Sequence, residues 1–195
     1  MFIMRDIEKM IGSTRMAIIY IVSGIGGYLS SAVFLPFRPE VGPAGAHYGV
    51  MACLFVEFIN LWHIYEEPIW PLLKLIGVAL FLLLLGLLPW IDNYAHCMGL
   101  LIGLLLSLAF MPDVTLPIKG LTQQEMSEHQ RRRKLRIIQI VVCLLTVLSI
   151  LFTLTVMLYK VPIYDIKFFK YFNCIPFTSD WCANQNIQVH RVDIL

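Results

Sequence analysis

Charge is what this chain has least of. Asp, Glu, Lys and Arg make up 14% of its 195 residues, where soluble domains carry about a quarter. None of them occurs in 16–37, 75–91, 95–111 or 137–159. Each run is near or beyond the length that crosses a hydrocarbon core of about 30 Å, so an ordinary soluble fold is excluded. A fifth apolar stretch, 46–64, contains a single carboxylate, Glu57. The spans lack the further polar residues that would line a conduction path, which argues against a channel or transporter built around Glu57 and His96. The chain has no N-x-Ser/Thr glycosylation site and no internal repeat. Its charged, amphipathic opening is unlike a signal peptide, which has a basic start and then an apolar stretch.

What is there in abundance is apolar surface: 58% of the residues are hydrophobic and the mean hydropathy is +0.75. The pattern predicts an all-α polytopic membrane protein with five spans, at about 16–35, 46–64, 70–88, 93–111 and 136–159. Residues 1–15 read as the end of a preceding helix and a cytosolic turn, 16–160 as the transmembrane bundle, and 161–195 as a tail. Ten basic residues fall on the face that holds the N-terminal segment and five on the other. The positive-inside rule therefore predicts a cytosolic start and a lumenal or extracellular tail. The polar stretch 112–136 reads as the one long loop. Its run Arg131-Arg132-Arg133-Lys134 reads as a topology anchor with attraction to anionic lipid, and nucleic acid is not an expected partner.

Cys53, Cys97 and Cys143 fall within spans, where a thiol ordinarily serves packing. Cys174 and Cys182 fall in the tail, on the face predicted to be oxidising. A disulfide between them would close a short loop and contribute roughly 2–3 kcal/mol. Glu57 is read as a structural polar contact, with His63 and Lys74 as candidate partners. No metal or cofactor is expected.

Several motifs carry a resemblance. Glu8-Lys9-x-x-Gly12-x-x-Arg15, Tyr20 and Ser23-Gly24-x-Gly26-Gly27 resemble the second-to-third-span region of the rhomboid intramembrane proteases. Gly42-x-Ala44-Gly45-Ala46-x-x-Gly49 resembles their nucleophile motif, in which the Ala44 position is serine. Ala95-His96-x-x-Gly99-x-x-x-Gly103 resembles their general-base helix. Pro43 before the lost serine, the run from Met4 to Gly12, and Cys174-Ile175-Pro176-Phe177-Thr178-x-x-x-Cys182 resemble the inactive branch, the iRhoms.

The resemblance implies a rhomboid-like bundle whose spans correspond to the third to seventh of a seven-span pattern. It implies helices packed through Gly45, Gly49, Gly99 and Gly103, and a degenerate site at Ala44 and His96 with Pro43 and Gly42 beside it. An alanine methyl cannot yield a proton to imidazole or attack a carbonyl. Pro43 lacks the N–H that would help form an oxyanion hole, and the polar residues completing that hole belong to a span preceding this chain. Cys53, Cys97, Ser30, Ser31 and His47 are the alternative nucleophiles or rim residues, and for none do nucleophile, base and hole converge. The function implied is binding of single-pass membrane clients in the endoplasmic reticulum and secretory pathway. By resemblance these are growth-factor precursors of the epidermal growth factor type and an ADAM-family sheddase. The alternative is an active rhomboid-type serine endopeptidase with an unorthodox nucleophile.

Overall fold

The protein is described from a computed structural model. It covers residues 8–9, 11–35, 42–62, 67–88, 91–111 and 123–160, with side chains in the last segment for 131–159. The tail with Cys174 and Cys182, and His63 beside Glu57, lie outside the described residues. Among the described residues the structure is all helical: α1 (Ser13–Phe34), α2 (Ala44–Asn60), α3 (Ile69–Leu85), α4 (Asn93–Phe110) and α5 (Gln123–Lys160).

Local chemistry sets the ends of these helices. The Gly12 N–H donates to Glu8 O at 2.8 Å, closing one helical turn. Its φ of 91° then lets the chain change direction into α1 without a Cβ penalty. Pro43 stands at the N-cap of α2, and its carbonyl accepts the first helical bond from the His47 N–H at 3.0 Å. Gly42 before it has φ 115°, and its carbonyl accepts from the Tyr28 hydroxyl at 2.6 Å. Asp92 caps α4, its Oδ1 accepting from the Tyr94 N–H at 2.8 Å.

α1, α2 and α4 pack against one another and form the centre; α5 packs on α4 and α1, and α3 leans on α2. The core proper is Met16, Ile19, Cys53, Val56, Ile102 and Leu106. Arg15 Nη1 donates to the Phe110 carbonyl at 3.3 Å, and Arg136 Nη2 donates to Met111 O. Gln139 adds a bond to Leu108 O at 3.4 Å. The free carbonyls at the C-terminus of α4 are thus tied to α1 and α5 by two guanidinium groups and an amide.

Among the described residues five helices occur, and three are long and apolar enough to cross a membrane: Ser13–Phe34, Asn93–Phe110 and a 131–159 stretch of α5. α2 and α3 are 17 residues each, about 26 Å of helix, at the short end of the spanning range. One expectation needs correction: the stretch read as a single polar loop becomes helical well before its end, because α5 begins at Gln123 and runs for 38 residues. From Gln123 to Lys134 the chain holds no glycine or proline and is rich in Gln, Glu, Met, Arg and Lys. These residues lose little rotamer freedom in a helix, so the element continues past the apolar boundary.

Candidate functional site

The site grows from one interface. α2 and α4 run side by side in the same direction, and small residues recur every fourth position on both. A methyl placed on Gly99 would strike the backbone of Gly45, and one on Gly103 would strike Gly49. One turn further, Cys53 Sγ lies 2.9 Å from Ser107 Oγ, 54 residues away in sequence. Gly45–Gly99, Gly49–Gly103 and Cys53–Ser107 keep that separation, so the three pairs are rungs of one parallel ladder. Ser107 donates its single proton to Gly103 O at 2.6 Å, which leaves the Cys53 thiol as donor to the Ser107 oxygen. The spacing of small residues was legible as Gly-xxx-Gly in each helix. The polar third rung is not legible there, because neither packing nor a nucleophile role for Cys53 implies a bond to Ser107.

α1 closes the ladder from a third side. A Cβ on Gly45 would lie 3.2 Å from both Ala95 O and Gly27 Cα, and a Cβ on Gly27 would lie 3.0 Å from Ala95 O. Three backbones therefore meet at Gly27, Gly45 and Ala95 with no room for a side chain. Ser23, fully buried, fills the space beside Gly49. This contact also fixes the depth of the site. Gly45 sits at the level of Gly27, and α1 continues from there to Phe34, about 10 Å further. α2 therefore begins well below the end of α1, and Ala44 is sunk below that end of the bundle. Phe34 stacks on Tyr94 above it, ring centroids 4.6 Å apart.

The sequence-derived site residues fall as follows. Ala44 is the first residue of α2 and is half-buried; its neighbour Gly45 is buried. His96 is buried in the first turn of α4, one residue after the Ala95 carbonyl that touches Gly45. The two helix starts are thus held together by the glycine contact next to each. His96 stacks face to face on Tyr48, centroids 4.3 Å apart and rings 19° from parallel. No sequence motif marks Tyr48, yet it lies one helical turn after Ala44, on the same side of α2. Tyr48 is 4% and His96 6% exposed, and neither the Tyr48 hydroxyl nor His96 Nδ1 has a hydrogen-bond partner among the described residues.

Asp92, 2% exposed, sits at the N-terminus of α4, where the helix dipole favours an anion. One of its oxygens caps the helix and the other is without a hydrogen bond among the described residues.

The remaining candidates are dispersed. His47 faces outward and meets Tyr20 edge to face at 6.1 Å. Ser30 and Ser31 are buried on the upper part of α1, Cys97 is half-buried, and Glu57 is half-buried one turn beyond Cys53. Among the described residues no group of three His, Cys, Asp or Glu side chains could hold a metal. The arrangement is a tightly closed three-helix junction, with an aromatic-stacked imidazole in the first turn of α4 and an alanine at the start of α2.

Comparison with known proteins gives this junction its family. The Rhomboid domain profile matches residues 1–113. The chain belongs to the rhomboid family. It is 46% identical over 187 residues to human inactive rhomboid protein 2, covering 96% of this chain and 20% of that protein. It is 42% identical over 190 residues to zebrafish (Danio rerio) inactive rhomboid protein 1, covering 97% of this chain and 21% of the relative. Human inactive rhomboid protein 1 is 42% identical over 192 residues. The chain thus spans about a fifth of the length of these rhomboid relatives.

Proposed function

We propose that this chain is the membrane bundle of a catalytically inactive rhomboid, a pseudoprotease that binds single-pass membrane proteins and governs their trafficking or degradation in the secretory pathway. One observation carries the reading: position 44, which opens α2 beside the helix of His96, is alanine. Acyl transfer needs a proton-bearing nucleophile within reach of a base, and a methyl group supplies neither proton nor lone pair. Pro43 at the N-cap removes one backbone N–H from the turn in which oxyanion donors would sit. The names of the relatives, all inactive rhomboid proteins, point the same way.

What remains is a scaffold suited to recognition. All five helices are read as spans, with the N-terminal segment cytosolic and the tail lumenal. Such a bundle meets another membrane helix through small residues and a few polar contacts instead of hydrophobicity. Growth-factor precursors of the epidermal growth factor type and an ADAM-family sheddase are the client classes implied by the family resemblance. The test is crosslinking-coupled capture of the protein from endoplasmic-reticulum membranes. Recovery of single-pass proteins, reduced by substitutions on outward faces of the bundle, is the expected outcome. Absence of any single-pass protein overturns the client reading.

A further inference from the structure

The four consecutive cations Arg131-Arg132-Arg133-Lys134 form one cluster in the sequence, but α5 is helical through them and divides them between two sides. Successive residues of a helix point about 100° apart. The inward side of α5 is fixed by Cys143, Val147 and Leu154, which are buried where α5 packs on α4 and α1. Arg132 and Arg133 stand about three and four turns before Cys143 and Val147. They therefore fall on that inward side, as does Arg136, bonded to Met111 O. Arg131 opens the opposite line, followed at every seventh position by Ile138, Leu145, Phe152 and Tyr159, all exposed. Lys134 lies one turn after Arg131 on the same side and is exposed too.

Depth places these two cations at a membrane surface. From Lys134 to Tyr159 the helix rises about 38 Å, a little more than a hydrocarbon core of about 30 Å. Tyr159 therefore stands at one interface, where aromatic rings gather, and Arg131 and Lys134 stand at the headgroup level of the other. Helix side chains lean toward the N-terminus. On α5 that direction carries both cations out of the hydrocarbon, while the large residues after them meet acyl chains.

We propose that Arg131 and Lys134 bind the headgroup of an anionic glycerophospholipid whose acyl chain lies along Ile138, Leu145 and Phe152. Two cations one turn apart hold a phosphate or carboxylate between them. A zwitterionic headgroup brings a cation of its own against the same pair. A protein helix fits this line poorly, because helices associate in lipid through small residues and the line carries large ones. A second copy of the chain fits no better: two α5 helices running in the same direction would set Arg131 and Lys134 against their own counterparts. An acidic protein outside the membrane would first meet the segment of α5 that carries Glu125 and Glu128. The proposal needs only that α5 crosses the bilayer and is independent of client binding.

The full chain is reconstituted in phosphatidylcholine vesicles holding a trace of phosphatidylserine or of phosphatidylcholine, each with a photoactivatable diazirine in its acyl chain. After illumination, lipid attached to the 135–152 stretch of α5 is quantified by mass spectrometry. Phosphatidylserine should label this stretch about 5- to 30-fold more than phosphatidylcholine, the effect of one to two cations near a membrane surface. Arg131→Gln with Lys134→Gln should bring the ratio to about one, and Arg131→Lys with Lys134→Arg should keep it. Arg133→Gln removes the same charge from the inward side and should change the ratio by less than about twofold. Equal labelling by the two lipids overturns the proposal, as does a preference that survives the double glutamine variant. A loss on Arg133→Gln as large as that on Arg131→Gln overturns it as well, because the run would then act as diffuse charge. A photo-crosslinker at Ile138 should capture lipid, and capture of a second copy of the chain in its place contradicts the site.

Discussion

α3 and α4 are of nearly equal length and both strongly apolar, yet they have opposite fates. α3 is built from large aliphatic residues and exposes Trp70, Leu73, Leu80, Phe81 and Leu84. α4 carries Gly99, Gly103 and Ser107 at every fourth position and is the most buried of the three long apolar helices. In water the more hydrophobic helix would be driven inward. In lipid the surroundings are as apolar as leucine, so burial goes to the helix whose small residues let a neighbouring backbone approach closely. The centre of this bundle is therefore written in its glycines.

The sharpest way to break that contrast is to give both helices the same substitution. Gly99→Leu drives a side chain into the Gly45 backbone and should abolish a folded bundle, at a cost of 3 kcal/mol or more by analogy with severe core overpacking (about 1–3, occasionally more). Gly77 on α3 has nothing within 4 Å of where its Cβ would stand, so Gly77→Leu should fall within about 0.5 kcal/mol of the parent. Thermal unfolding in detergent by circular dichroism measures both. Equal losses would remove the distinction between the two helices.

A smaller effect is expected at the charged end. Arg136→Ala frees the Met111 carbonyl and should cost about 1.5 kcal/mol, the lower range for a hydrogen bond to a charged group. Asp92→Ala removes the cap of α4 and should cost about 1 kcal/mol, whereas Asp92→Asn should lose much less. Proteolytic sensitivity and melting of the purified variants report both. Smallest is the polar rung. A double-mutant cycle of Cys53→Ala and Ser107→Ala should give a coupling of about 0.6 kcal/mol, the average for hydrogen bonds between membrane helices. A coupling near zero would mean that the rung is held by packing alone.

Much of this architecture could be read from residues. Glycine and proline at Gly12, Pro43 and Pro68 and the capping Asp92 mark where helices start, the first three by altering the backbone and the last by accepting a helix N–H. The early start of α5 is hard to read because polarity resembles a loop, although its residues are strong helix formers with no breaker among them. The Cys53–Ser107 bond was hidden for another reason. It depends on the register between two helices, which neither helix states alone, although both carry a small residue every fourth position through that point. Tyr48, an aromatic in an apolar helix, reads as core, and only its stacking on His96 gives it a place in the site.

Whether the junction of α1, α2 and α4 performs chemistry turns on a single assay. The purified chain is incubated in proteoliposomes with a transmembrane rhomboid-type substrate, alongside Ala44→Ser and His96→Ala variants, and cleavage products are resolved by mass spectrometry. The pseudoprotease reading predicts no turnover by the parent and none by Ala44→Ser, because Pro43 still removes an oxyanion donor from the turn. Turnover by the parent that His96→Ala abolishes would contradict it.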